Sequence, residues 1–223
     1  MSLDLMEILG RGFEVFKAKA FEMIVLTLVP VVVSAILGLA VGITAVGSIL
    51  VPFMAPGFLI LLVLSLVIVF IVSVIVGGLM TKISWDVLED KESSLSEAWD
   101  YLRPKIINLV ALAIVLAVIV GIGLLLLIIP GIVAFTLLCL SVASLVVGGK
   151  GVFESMNESY SLVRENFLEV LAIVIVLIVA FAIASVLNSL IFPLGLLLLF
   201  ILIPYSFAVF TTVYWELSKG RSK

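Results

Sequence analysis

The chain alternates between four patches that hold every charged residue and three long stretches that hold none. The uncharged stretches are Met23–Thr81, Ile106–Gly149 and Val170–Trp215, of 59, 44 and 46 residues. An α-helix crosses the hydrocarbon core in about 20 apolar residues, so each stretch accommodates two crossings. Two crossings return the chain to its starting side. The pattern therefore predicts three hairpins whose charged ends share one face of a membrane.

Turn residues fall where such hairpins need them. Gly47–Gly57, with Pro52 and Pro56, separates predicted spans 23–46 and 57–80. Pro130-Gly131 separates 106–129 from 131–148, and Asn188–Gly195, with Pro193, separates 168–188 from 195–215. Pro30 and Pro204 fall inside spans and predict kinks there.

The charged patches have a period of their own. Met6, Leu9, Phe13, Phe16 and Ala20 form one apolar stripe; Leu95, Trp99, Leu102 and Ile106 a second; Phe153, Met156, Tyr160, Val163 and Phe167 a third. Spacings of three and four place each set on one helix face. Ser94 and Glu97 have the spacing of a capping box that opens the second helix. Aligned, the stripes contain Phe13-Glu14-Val15-Phe16-Lys17, Trp99-Asp100-Tyr101-Leu102-Arg103 and Tyr160-Ser161-Leu162-Val163-Arg164, each in the order aromatic, polar, apolar, apolar, basic. Such helices either lie in the interface with their aromatic stripe toward lipid or pack on the ends of the spans. The predicted fold is an all-α integral membrane protein. Six transmembrane helices form three hairpins, each preceded by a cytoplasmic amphipathic interfacial helix. The whole is one domain over 1–223, with repeat units at about 3–85, 93–149 and 151–217. A further echo joins the first and third units: Thr81 to Asp86 resembles Thr211 to Glu216, and Trp85, Tyr214 and Trp215 suit an aromatic belt at headgroup level.

Composition agrees with this class. The chain is 65% hydrophobic and 12% charged, with a mean hydropathy of +1.48, whereas soluble domains are about 25% charged. Segments such as Val63–Ile75 are apolar all round, which removes the polar stripe a soluble bundle requires. The four Asp and Glu residues among the first 22, followed by an overlong apolar run, do not fit a cleaved signal peptide. All twelve Lys and Arg residues fall on one side of the predicted spans, so the positive-inside rule makes the protein a multi-pass cell-membrane protein with cytoplasmic N- and C-termini.

Candidate chemistry is sparse. There is no His, and Cys139 is alone, which leaves neither an intramolecular disulfide nor a Cys/His metal site. No charge lies within a predicted span, where a proton relay or ion pathway would place one. Uncharged polar residues in the spans, among them Ser34, Ser65, Ser141, Ser144 and Asn188, read as hydrogen bonding within or between helices. The acidic group Asp86, Glu89, Asp90 and Glu92 reads as a solvated turn, because its spacing does not organise a cation site. Small residues recur four apart at Ser34/Gly38/Gly42, Ala113/Ala117/Gly121 and Ala180/Ala184, which permits close helix packing inside the molecule or at a dimer face. These features predict no catalytic residue, no cofactor and no nucleic-acid partner. The expected contacts are membrane lipids, other membrane proteins or a second copy of the chain. Phe13, Phe16, Lys17, Trp99, Leu102, Arg103, Tyr160, Val163 and Arg164 are the candidate interfacial contacts.

Ile129-Pro130-Gly131-Ile132 at a span opening is followed by a Gly/Lys break and then by Glu154-Ser155, Ser159, Leu162-Val163 and Asn166-Phe167. This half of the chain, about residues 90–215, resembles the multi-span domain that accompanies some glycerophosphodiester phosphodiesterases and its stand-alone bacterial and archaeal relatives. Ser155 stands where such relatives often have Ala. The resemblance implies a six-helix membrane domain without the hydrolase's catalytic residues. The expected function is a non-enzymatic membrane scaffold, or a lipid- or partner-binding domain with a cytoplasmic working face. The alternative is a transporter or channel for a neutral or amphiphilic solute.

Overall fold

A computed structural model describes residues 3–50 and 55–220, and every regular element in them is a helix. The chain runs through α1 (Leu5–Ala18), α2 (Ala20–Leu50), α3 (Ala55–Leu88), α4 (Leu95–Leu102), a 3-10 turn (Arg103–Lys105), α5 (Ile106–Leu126), α6 (Ile128–Leu138), α7 (Ser141–Val146), α8 (Val152–Glu165), α9 (Phe167–Leu190) and α10 (Phe192–Gly220). Six stretches among the described residues are long and apolar enough to cross a membrane: Ala20–Gly47, Pro56–Leu88, Leu95–Leu126, Ile128–Val146, Phe167–Leu190 and Phe192–Lys219. The protein is a polytopic helical membrane protein of six spans.

The second and third hairpin turns are shorter than the turn residues suggest. Pro52 lies outside the described residues. In the second hairpin the break is at Leu127, which is extended (φ −162°, ψ 147°), three residues before Pro130. Pro130 occupies the first turn of α6, where the N–H it lacks has no helical partner to lose. Pro193 likewise sits in the first turn of α10, after a break at Ile191. Pro30 and Pro204 lie within continuous helices.

The fourth span is built from two helices. It is interrupted after Leu138, and Cys139 and Leu140 form a turn before α7 resumes.

The buried core occupies the charged end of the molecule. On α3 burial is nearly continuous from Val76 to Leu88, and on α10 it is dense from Ala208 to Leu217. Towards the opposite end it fades. Beyond Thr27 no described side chain of α2 is buried, and between Gly57 and Ile75 on α3 only Ser65 is. The hairpins are thus joined at their charged ends, and their far halves present apolar side chains outward, as a hydrocarbon environment allows.

Contacts between elements recur in a cyclic order. The second helix of each hairpin touches the first helix of the next, as α3 with α5, α6 with α9, and α10 with α2. Each short helix packs on the second span of another hairpin: α4 on α3, α8 on α6 and α7, and α1 on α10. The charged ends of α3, α7 and α10 meet one another at the centre.

Candidate functional site

The three short helices each begin with a side chain that satisfies orphan backbone donors. Asp4 accepts from the N–H groups of Met6 (2.8 Å) and Glu7 (3.3 Å). Ser94 accepts from the Glu97 N–H (3.2 Å) while Glu97 reaches back to the Ser94 N–H (3.1 Å), which is the capping box expected there. Glu154 reaches back to the Gly151 N–H at 3.1 Å.

The apolar stripes divide between two environments. Phe13, Trp99 and Tyr160, the aligned aromatics, are 50%, 42% and 41% exposed, whereas Phe16, Leu102 and Val163, three residues on, are 6%, 0% and 0%. The basic residues that follow, Lys17, Arg103 and Arg164, are exposed. Met6 and Phe153, expected on the same faces, also point outward. The inward faces of the first and third helices are therefore offset from the stripes. They run through Ile8, Gly12, Val15 and Phe16 on α1, and through Ser155, Ser159, Leu162 and Val163 on α8. The residue just before each aromatic is small and buried: Gly12, Ala98 and Ser159. A Cβ on Gly12 would come within 2.7 Å of Val209 Cγ2 and 3.1 Å of its Cα, so α1 lies directly on α10.

Ser159 closes the interrupted span. Its hydroxyl donates to the Leu137 carbonyl (2.9 Å) and accepts from the Leu140 N–H (3.2 Å), and the residue is fully buried. Two of the backbone groups freed by the turn at Cys139–Leu140 are thereby satisfied in a fully buried position. The preceding residue, Glu158, accepts from the Ser144 hydroxyl and from the Tyr214 hydroxyl at 3.2 Å.

The acidic group is a solvated turn only in part. Asp86 is buried and ion-paired with Lys82. Glu89 accepts from the Trp215 indole N–H (2.8 Å) and pairs with Lys219 (2.7 Å). Asp90 and Glu92 alone of the four are exposed, and Asp90 takes the left-handed conformation (φ 54°) that ends α3. The aromatics expected at headgroup level are also drawn inward. Tyr214 is 3% exposed and lies 5.8 Å from Trp85, while Trp215 is flanked by Arg11 (4.3 Å) and Lys219 (4.2 Å). Arg11 also pairs with Glu216. Lys82 and Lys105 sit over the Tyr101 ring at 4.6 and 3.9 Å, and Lys105 donates to the Val146 carbonyl (2.6 Å). Four cations are thus tied into two clusters, Lys82 and Lys105 around Tyr101 between α3, α4 and α7, and Arg11 and Lys219 around Trp215 between α1, α3 and α10.

Hydrogen bonds from Lys219 and Trp215 hold the Glu89 carboxyl below the usual carboxylate range. A lowered carboxyl pKa stabilises the fold above the ordinary value, and that contribution is lost as pH falls through the lowered one. The melting temperature of the protein should exceed that of Glu89→Gln by a constant margin from neutral pH down to about pH 4.3, the ordinary Glu value. The margin should close below it.

The small-residue rows divide. A methyl group placed on Gly38 or Gly42 would have no atom within 4 Å, and Ser34 is exposed, so this row packs on none of the described residues. Gly121 is equally open and Ala117 is exposed, whereas Ala113 is buried. Ala184 is buried and Ala180 partly so. The reason is that hairpin contacts are made elsewhere: Gly123 lies against Gly131, and Gly195 against the backbone of Asn188. Most of the span hydroxyls donate to carbonyls of their own helix, as Ser34 to Pro30 and Ser73 to Val69. Among the described residues, Ser65 Oγ, Ser141 Oγ and Asn188 Oδ1 are buried without a partner.

Behind the charged clusters lies an apolar cavity of about 410 Å³, bounded by α3, α5, α6, α7 and α10. Phe70, Ala117, Phe135, Cys139, Phe207 and Phe210 are on its wall. Among the described residues no group of three His, Cys, Asp or Glu side chains is placed to hold a metal ion.

No curated protein matches the chain, and no solved structure does. A family model described as a domain of unknown function, DUF7847, matches residues 106–218, just over half of the chain, and the chain belongs to that family.

Proposed function

We propose that the protein is a membrane scaffold whose cytoplasmic face engages anionic lipid headgroups or partner proteins through three equivalent aromatic–basic edges. One observation carries this reading. In three separate helices an exposed aromatic is followed four residues on by an exposed cation, at Phe13/Lys17, Trp99/Arg103 and Tyr160/Arg164, with a buried residue between them. Interfacial aromatics and cations are the side chains that bind a headgroup layer, each cation near an anionic surface contributing about 1 kcal/mol. Arg11, Lys82, Lys105 and Lys219, by contrast, are engaged internally, whereas Lys17 has only the exposed Glu14 beside it at 3.9 Å.

The threefold repeat belongs to this proposal. It is supported by the cyclic contact order, by the recurrence of small, exposed aromatic, and buried apolar positions in the three helices, and by the pairing of Trp85 with Tyr214 from the echoed segments. Kinship with the membrane domain that accompanies glycerophosphodiester phosphodiesterases, a plasma-membrane location and cytoplasmic termini are parts of the same reading, and the last rests on the one-sided distribution of Lys and Arg. The role proposed is non-enzymatic.

In nanodiscs of mixed zwitterionic and anionic lipid, the protein should retain anionic lipid through purification. The Lys17→Gln/Arg103→Gln/Arg164→Gln variant should retain several-fold less. Equal retention would overturn the reading. The alternative, a transporter for a neutral solute, draws on the interrupted fourth span, since broken helices offer free backbone groups to solutes. Here Ser159 already occupies two of those groups, the Leu140 N–H and the Leu137 carbonyl. Solute flux in liposomes that Asn188→Leu abolishes would favour the transporter instead.

A further inference from the structure

We infer that the cavity between α3, α5, α6, α7 and α10 is a binding site for one hydrocarbon tail of a membrane phospholipid, reaching in from the leaflet opposite the charged face.

The walls define the ligand's chemistry. Thr81 and Thr211 donate to the carbonyls of Gly77 and Phe207, and Ser206 donates to that of Ile203, so every hydroxyl lining the cavity has spent its proton on its own helix. The remaining wall is aliphatic and aromatic, apart from the Cys139 thiol. A polar solute entering here would lose its hydration and find no donor, a cost of several kcal/mol per group. A hydrocarbon chain loses nothing. The volume of about 410 Å³ lies in the range of ligand sites, about 300–1,000 Å³, and is far larger than the voids that packed interiors leave.

The route of entry selects the leaflet. Toward the charged face the way is closed. Met80, Ile83, Leu109, Leu145 and Val146 are buried to within 1% exposure, and Lys105 bridges α5 to the Val146 carbonyl below them. Lys105, Leu109, Ala113, Leu116 and Val120 follow one another at helical spacing. This seam of α5 therefore runs from the closed floor up the cavity wall. In the opposite direction the hairpins separate, and Ala117 and Phe135 at the rim are exposed. At 1.5 Å per residue, the lining from Ala113 to Val120 lies about 12–22 Å from Lys105. That places this part of the wall around the middle of a hydrocarbon core about 30 Å thick, while on α3 the wall continues to Thr81, next to Lys82. A chain descending from the far leaflet enters at mid-depth and its end lies toward Thr81. A headgroup cannot reach it.

This site is separate from the charged edges, so it stands or falls independently of the function proposed above. The test is photolabelling of the whole protein in nanodiscs with a phosphatidylcholine carrying a diazirine at the end of one acyl chain, followed by peptide mapping. Cross-links should concentrate in the segments around Phe135–Cys139 and Phe207–Phe210, several-fold above the exposed α9 surface at Val179 and Ile183. Ala117→Phe, or Val120→Phe should the first variant fail to fold, narrows the rim. Either should at least halve the cavity signal and leave the α9 signal unchanged. Cavity labelling no stronger than that of α9, or insensitive to the rim variants, would overturn the assignment. So would equal labelling of these segments by a water-soluble diazirine.

Discussion

Replacing Ser159 by Ala is expected to be among the most damaging single-atom deletions in the protein, costing about 2–6 kcal/mol. The hydroxyl is the only described side-chain partner of the Leu140 N–H and the Leu137 carbonyl, both freed by the turn that interrupts the fourth span. Without it two buried backbone groups lose their partners at once, and each unsatisfied group costs about 1–3 kcal/mol. Water cannot replace the hydroxyl deep in the packed charged end. Ser73→Ala is the matched control. Its hydroxyl donates to the Val69 carbonyl of its own helix on an exposed surface, and its loss should stay within about 0.5 kcal/mol. Unfolding in mixed micelles, followed by tryptophan fluorescence, checks both. A Ser159→Ala variant as stable as the parent would mean that the turn is not held by α8.

The second large effect should come from Gly195→Ala. A Cβ at this position would overlap the backbone N and Cα of Asn188, and backbone cannot rotate aside as a side chain can. The α9–α10 hairpin must open at its tip, at a cost of about 1–3 kcal/mol or more. Gly38→Ala and Gly42→Ala should do the reverse. Each adds a methyl where nothing lies within 4 Å, and each removes the intrinsic penalty of glycine in a helix, about 1 kcal/mol. The same unfolding assay separates the two classes. A loss of stability at Gly38 or Gly42 as large as that at Gly195 would mean that the α2 row is packed against something the isolated chain does not provide.

Much of the architecture is legible in the sequence because burial in lipid and charge at its border are additive properties of composition. Three uncharged stretches, each long enough for two crossings, leave little freedom, and six spans follow. What escapes is the inner face of the short helices. Phe13, Trp99 and Tyr160 dominate any reading by hydropathy, yet they mark the outward edge. The packed positions beside them are Gly12, Ala98 and Ser159, whose value lies in being small or in offering one hydroxyl. A recurrence does betray them, since a small residue precedes the aromatic in all three aligned segments. The ionic clusters are hidden for another reason. Glu89 and Trp215 are 126 positions apart in the chain, and only the meeting of α3 with α10 brings them together. The interruption at Cys139–Leu140 has no Pro or Gly to announce it, because its stabilising partner lies on another helix.

The far halves of the hairpins show the same limit from the other side. Their small-residue rows are real in sequence, but close packing requires a partner backbone at the same height, and the described core ends below them. Gly123 and Gly131 meet because a one-residue turn forces them together.

The central claim is that every charged segment lies on one side of the membrane and every hairpin tip on the other. Single-cysteine variants in a Cys139→Ala background test it directly, using a membrane-impermeant maleimide on intact cells. Leu127→Cys and Ile191→Cys, at the tips of the second and third hairpins, should label at once. Ser96→Cys, Lys150→Cys and Lys219→Cys should label only after the membrane is permeabilised. Labelling of Lys150→Cys in intact cells, alongside protection of Lys219→Cys, would place the charged segments on opposite sides and contradict the account.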